Sequence, residues 1–98
     1  MLMLISYDVK TTSEDGARRL RRISQACLDY GIRVQFSVFE CEITPAQWVE
    51  LKARLLATYN PEHDSLRFYH LGSTGLNRKI EHFGTKSVPD LLRDPLVL

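Results

Sequence analysis

The segment from Met1 to Val9 constrains the fold more than any other, because it is almost entirely apolar and carries one carboxylate, Asp8, near its end. Alternate side chains of a strand point to opposite faces. One face would carry Leu2, Leu4, Ser6 and Asp8, and the other Met3, Ile5, Tyr7 and Val9. A strand that is apolar on both faces is typical of the middle of a covered sheet. We therefore predict a central strand that holds Asp8 rigidly at the edge of the core, where a metal ion or a substrate could reach it.

The length and composition indicate one small globular domain. A chain of 98 residues can bury a single modest core, and its 26% charged and 44% hydrophobic residues are ordinary for a soluble protein. The net charge of +1 does not indicate a nucleic-acid partner. Arginines nevertheless cluster between Arg18 and Arg33, whereas acids dominate from Glu40 to Glu50.

The cysteines and the amino terminus favour a cytoplasmic protein without membrane contact. Cys27 and Cys41 have no near neighbour that would complete a zinc or redox motif, so we expect reduced, packed thiols. The first residues lack the basic lead-in and cleavage site of a signal peptide. No apolar run approaches the roughly 20 residues that span a bilayer.

The remaining pattern alternates between helical and strand periodicity. It predicts first a helix from Glu14 to about Tyr30, with Gly31 as its left-handed cap, and then two antiparallel strands within 32–43 that bend near Gln35 to Ser37. It next predicts a helix that is capped by Thr44, Pro45 and Gln47 and ends at Asn60-Pro61. A strand over 66–71 and an edge strand over 79–84 are predicted to follow.

This order predicts an α+β fold, a ferredoxin-like βαββαβ sandwich with an additional C-terminal edge strand, as a single domain over residues 1–98. Its two helices would cover only one face of the sheet, although the first and last core strands are apolar on both. A second copy that packs sheet to sheet is the simplest cover, so we expect a two-fold homodimer. The symmetry would bring two copies of Asp8 toward one cleft.

Asp8 is the strongest candidate for chemistry. Mg²⁺ prefers an octahedral shell of oxygens and is usually held by one or two carboxylates with waters and phosphate, a need that two Asp8 side chains would meet. The alternative is that Asp8 only caps the following loop or helix.

Three other residues near Asp8 have open roles. Tyr7 is predicted to face the core with its hydroxyl at the edge, the alternative being a platform on which a base stacks. Ser37 could donate a hydrogen bond to a phosphate, but it lacks the histidine and acid of a nucleophile. Phe39 is predicted to be a core residue.

Four arginines make the first helix basic. Arg18 and Arg22 fall opposite its apolar stripe, while Arg19 and Arg21 flank that stripe. Such a face is usually solvated surface, and contact with phosphates is the alternative.

Several motifs resemble those of the CRISPR-associated Cas-two family. They are Tyr7-Asp8-Val9, the arginine cluster over 18–22 and the segment from Tyr30 to Cys41. Residues 65–69, Leu71-Gly72 and 80–82 also look like this family, so the resemblance spans nearly the whole chain. The Tyr-Asp pair is most specific when it is combined with the Arg-x-Gln-x-Ser-Val-Phe-Glu pattern that follows the helix-ending glycine.

The resemblance implies a ferredoxin-like homodimer that acts in CRISPR adaptation. Such a dimer bridges the partner integrase, lays double-stranded DNA along its basic surface and helps to capture new spacers. The C-terminal segment, about 76–98, would pack on the partner subunit. Family members have also been credited with metal-dependent nuclease activity on single-stranded RNA or double-stranded DNA, which implies a possible endoribonuclease or endonuclease of low activity.

The resemblance also implies roles for individual residues. Asp8 would hold a Mg²⁺ shared by the two subunits. The residues next to this site would be Tyr7, Arg33, Ser37 and Phe39. The arginines that engage nucleic acid would be Arg19 and Arg21, with Arg18, Arg22 and Arg33 adding to the same surface. The alternative function is a dimeric small-molecule sensor of ferredoxin-like build without nuclease activity.

Overall fold

The computed structural model describes residues 1–72 and 79–85. Its elements are β1 (Leu2–Asp8), α1 (Glu14–Tyr30), β2 (Ile32–Gln35), β3 (Val38–Glu42), α2 (Pro45–Thr58), β4 (Ser65–His70) and β5 (Lys79–Gly84). Neighbouring strands are antiparallel in the order β2-β3-β1-β4-β5. The predicted ferredoxin-like α+β fold with an added edge strand is confirmed, and β1 is its central strand. The predicted packing of the C-terminal segment concerns residues that lie almost wholly outside the described ranges.

The core lies between the two helices and one face of the sheet. Ile5 of β1 is fully buried and pairs with Phe39 of β3 and Phe68 of β4, which are also fully buried. The helices supply the other half of the core through Ile23, Ala26, Cys27, Trp48, Leu51 and Leu55. The alternation predicted for the first strand is confirmed, because Met3, Ile5 and Tyr7 all belong to this core.

Side-chain caps begin both helices where the sequence predicts. The hydroxyl of Ser13 accepts a hydrogen bond from the backbone N–H of Gly16 at 3.1 Å, which starts α1. Thr44 and Gln47 exchange side-chain to backbone hydrogen bonds of 2.9 and 3.1 Å, which complete a capping box at the start of α2. These caps satisfy backbone donors that a first helical turn leaves unpaired.

Gly31 ends α1, but not in the predicted left-handed conformation. Its φ is −160° and its ψ is −161°, so its backbone is extended, and its N–H donates to the carbonyl of Cys27. A Cβ at this position would collide with the carbonyl oxygen of Glu40 and with the Sγ of Cys41. Glycine is therefore required by the close approach of β3 and not by a positive φ.

The predicted hairpin after α1 is confirmed. β2 and β3 are antiparallel, a turn at Phe36 and Ser37 joins them, and the register shifts between Arg33 and Gln35. β2 lies at the edge of the sheet, and its side chains are exposed. Phe36, at the turn, is 91% exposed.

The face of the sheet away from the helices is partly apolar. Leu4 lies there, half-buried between Glu40 of β3 and Tyr69 of β4. Tyr69 is fully buried on this face, with the Arg67 guanidinium 5.7 Å from the centroid of its ring. The predicted homodimer, which would cover this face, stays a prediction.

The described residues agree with the predicted thiols. Cys27 and Cys41 are buried and unbridged, and burial raises the pKa of Cys27 to about 12 and that of Cys41 to about 11. Both side chains therefore remain thiols at neutral pH. Neither helix in the described ranges has the length and apolar character needed to cross a bilayer.

Candidate functional site

Asp8 is the last residue of the central strand and lies on the face away from the helices. In the register of β1 with β4 it pairs with Ser65, and its side chain is partly exposed. Within residues 1–72 and 79–85, no group of three or more histidine, cysteine or acidic residues could hold a metal ion. A lone carboxylate such as that of Asp8 suits Mg²⁺ when a second carboxylate, water or phosphate completes the oxygen shell.

Tyr7 points to the opposite face, into the core. It is 3% exposed, and its hydroxyl shares a hydrogen bond of 2.7 Å with the Oγ of Ser24 on α1. Burial raises the pKa of Tyr7 above its ordinary value, although the hydrogen bond with Ser24 and the charge of Arg33 oppose the shift. The prediction that Tyr7 faces the core is confirmed, and its hydroxyl stays protonated at neutral pH.

Phe39 and Arg33 extend the contacts of Tyr7 on the helix side. Phe39 is fully buried, as predicted, and its ring stacks on that of Tyr7 with 6.0 Å between centroids. The guanidinium of Arg33, on exposed β2, lies 5.1 Å from the centroid of Phe39. The arrangement is a cation–π contact on top of an aromatic pair. Tyr7, Phe39 and Arg33 therefore belong together, while Asp8 lies across the sheet from them.

Ser37 is tied to the end of the central strand through its backbone. Its carbonyl accepts a hydrogen bond of 3.1 Å from the N–H of Tyr7. The hairpin turn therefore lies beside the last residues of β1, at the same end of the sheet as Asp8. Its side chain is partly exposed there.

The four arginines of α1 differ in their partners. Arg18 makes an exposed ion pair with Asp15 at 3.3 Å, a kind of contact that contributes little to stability. Arg21 and Arg22 are exposed, and within the described part of the chain they form no ion pair. Arg19 instead turns toward the sheet and pairs with Asp64, where only 17% of its side chain is exposed.

Asp64 is a residue that the sequence did not single out. Its carboxylate is fully buried and accepts hydrogen bonds from the Nε and Nη2 of Arg19 at 2.7 and 3.2 Å. Backbone N–H groups of Asn60 and Lys10 donate to the same carboxylate at 2.9 and 3.2 Å. Burial raises the pKa of Asp64, but the hydrogen bonds from Arg19, Asn60 and Lys10 outweigh burial and lower it below the ordinary value. The sequence shows it only as an acid just before an apolar strand, which does not distinguish it from a surface acid.

A polar depression of about 310 Å³ borders this ion pair. The side chains around it include Lys10, Arg19, Asn60 and His63. It lies beside the loop that follows Asp8, so basic groups and the strand-end carboxylate occupy the same end of the domain.

The fold and these residues define a class: a ferredoxin-like domain that presents one acid at the end of its central strand and a basic helix at the same end. The family model described as CRISPR associated protein Cas2 matches residues 1–79. The chain therefore belongs to the CRISPR-associated Cas2 family.

Individual relatives match over most or all of the chain. The CRISPR-associated endoribonuclease Cas2 of Nitratidesulfovibrio vulgaris is 56% identical over 98 residues, which cover 100% of this chain and 94% of the relative. The protein of the same name from Chlorobaculum tepidum is 56% identical over 91 residues, with 93% and 94% covered. The crystal structure of Streptococcus pyogenes Cas2 at pH 6.5 aligns with a TM-score of 0.68 at 50% identity, covering 74% of this chain and 87% of that one.

Proposed function

We propose that this chain is a homodimeric subunit of CRISPR adaptation that binds nucleic acid, bridges the partner integrase and cleaves phosphodiester bonds slowly with Mg²⁺. The observation that carries the proposal is the placement of Asp8, partly exposed, at the end of the central strand, in a chain 56% identical to relatives named endoribonucleases. Nucleic-acid binding and integrase bridging rest on the family membership and on the basic helix.

The apolar side chains on the sheet face away from the two described helices support the homodimer. Leu4 is half-buried on this face beside the acidic Glu40, and the described helices both lie on the other side. A second copy that packs on this face would remove the apolar surface from water. Two-fold symmetry would then set two Asp8 carboxylates at one seam.

The residues of the site fit a magnesium ion shared by two copies. When bound, Mg²⁺ would supply Lewis-acid stabilisation to the phosphate under attack. Asp8 of each copy would hold it, and the exposed Arg21 and Arg22 would neutralise neighbouring backbone phosphates. The Tyr7 hydroxyl is protonated and engaged with Ser24, so it does not supply a general base. We therefore expect slow turnover.

The cleavage proposal is tested with purified protein, labelled single-stranded RNA and double-stranded DNA. Asp8→Asn should abolish the Mg²⁺-dependent cleavage of whichever substrate the wild type cuts. The matched control is Asp29→Asn, which removes an exposed carboxylate at the far end of α1 and should cleave as the wild type does. Cleavage by Asp8→Asn at the wild-type rate would contradict the proposed role of this carboxylate.

The binding proposal has an independent test. The affinity for a short DNA duplex should fall steeply with salt, and Arg21→Gln should lower the log–log slope by about 0.9 for one lost phosphate contact. The bridging role predicts that the dimer forms a stable complex with the integrase of its own adaptation module, and Asp8→Asn should leave this complex intact. A salt-independent or absent interaction with DNA would favour the alternative of a small-molecule sensor.

A further inference from the structure

The buried carboxylate of Asp64 joins separate parts of the chain. Among the described residues, its side chain accepts four hydrogen bonds. They come from α1, through Arg19, from the loop after α2, through Asn60, and from the loop after β1, through Lys10. Its own carbonyl accepts from the N–H of Thr85, directly after β5, at 3.2 Å. One residue thereby connects most of the elements at this end of the domain.

The contacts of Asp64 reach both sides of Asp8. Lys10, which donates to the carboxylate, stands two residues after Asp8, where the chain leaves the strand. Ser65, the residue next to Asp64, pairs with Asp8 in the register of the sheet. A hydrogen bond from Lys10 to Asp64, the residue beside the strand partner of Asp8, thus restrains the direction in which the chain leaves Asp8.

The same carboxylate determines what Arg19 does. Two nitrogens of its guanidinium are engaged in a forked pair with Asp64, and the charge of one residue offsets that of the other. A mostly buried, neutralised arginine contributes little to an attraction for phosphate, whereas the exposed Arg21 and Arg22 keep their full charge.

We propose that Asp64 and Arg19 form a positioning clamp, which orients the loop after Asp8 and docks the basic helix, and that Arg19 is not a phosphate contact. The inference rests on the proposed function where it concerns cleavage and binding. Its structural part, the restraint of the loop after Asp8, is independent of that function.

Hydrogen exchange tests the structural part directly. In Asp64→Asn the amide of Lys10 should exchange at least about tenfold faster than in the wild type, because the charged acceptor that protects it is gone. Asp29→Asn, which breaks an exposed ion pair of the same 2.7 Å length with Arg54, should leave this amide unchanged. Unchanged protection of Lys10 in a folded Asp64→Asn protein would overturn the proposal.

A second set of variants covers the case in which Asp64→Asn does not fold. Arg19→Lys keeps a cation beside Asp64 and should retain most of the protection of Lys10, whereas Arg19→Gln should lose it. Equal behaviour of these two variants would overturn the clamp. This comparison needs no nucleic acid and no metal.

Two functional readouts separate the clamp from the proposed function. Arg19→Gln should leave the salt slope of DNA binding unchanged, while Arg21→Gln lowers it. An equal decrease of the slope in both variants would overturn the proposal that Arg19 does not contact phosphate. Asp64→Asn should lower kcat about tenfold with KM within about twofold, as expected for a residue that orients a catalytic group. If the wild type neither binds DNA nor cleaves, the proposed function fails, and the exchange of Lys10 still decides the clamp.

Discussion

The hydroxyl of Tyr7 offers a sharp test of how α1 is held against the central strand. Tyr7→Phe keeps the ring, which stacks on Phe39, and deletes only the oxygen that shares the 2.7 Å hydrogen bond with Ser24. A further contact from the same hydroxyl to the carbonyl of Phe36, at 3.5 Å, is too long to contribute much. The substitution therefore removes the short hydrogen bond between β1 and α1, together with an interaction of the same hydroxyl with Arg33.

The geometry determines how much Tyr7→Phe should lower the free energy of unfolding. Tyr7 is 3% exposed, so water does not freely replace the lost partner, and a neutral hydrogen bond of this kind contributes about 1 kcal/mol to the free energy of unfolding. For a domain of 60–100 residues, this corresponds to a fall in Tm of about 4–8 °C. Since Ser24 is only half-buried, its hydroxyl can turn to water, and the cost should not rise far above this value.

The measurement is urea unfolding of the wild type, Tyr7→Phe, Ser24→Ala and the double variant, all at one protein concentration because the proposed dimerisation would shift the apparent stability. The double-mutant cycle should give a coupling free energy of at least about 0.5 kcal/mol. Strictly additive costs for the two substitutions would refute the reasoning, because they would mean that the two hydroxyls do not stabilise each other.

Three further predictions concern stability. Gly31→Ala should lower the free energy of unfolding in urea by about 1–3 kcal/mol, because the added methyl group would meet the carbonyl of Glu40. An unchanged free energy of unfolding would contradict this and would mean that β3 can move away. Thr44→Ala should cost about 1 kcal/mol through loss of the capping box, and urea unfolding that matches the wild type would contradict it. The hydrogen bond from Lys52 lowers the pKa of Glu81 below 4.5, so its stabilisation is present above pH 4.5 and is lost as the pH falls through the lowered pKa. When the free energy of unfolding is measured at decreasing pH, Glu81→Gln should therefore lose less stability than the wild type.

Local patterns predicted the elements of this fold well. The capping box at Thr44 and the hairpin turn near Ser37 depend on residues that are close in sequence, so their physics is visible there. Alternation along β1 also predicted that Tyr7 and Asp8 point to opposite faces. The conformation of Gly31 was predicted wrongly. The glycine is required because β3 passes close to it, and not because its helix ends in a left-handed conformation.

The candidate site could be predicted only in part from the sequence. Family resemblance and strand position both pointed to Asp8, and the basic helix was evident from its composition. The partner of Arg19 could not be predicted, because Asp64 is 45 residues away and nothing local distinguishes it from a surface acid. A buried ion pair forms only when separate elements are brought together and water is excluded.

The sequence by itself determined the order of helices and strands, their caps and the position of Asp8 at the end of an apolar strand, since each depends on periodicity and on neighbours within a few residues. The tertiary structure alone decided which arginine pairs with a buried carboxylate and which carboxylate accepts a hydrogen bond from the backbone of Lys10. Those outcomes arise from contacts between distant segments, whose charges are matched only once the helices have packed on the sheet.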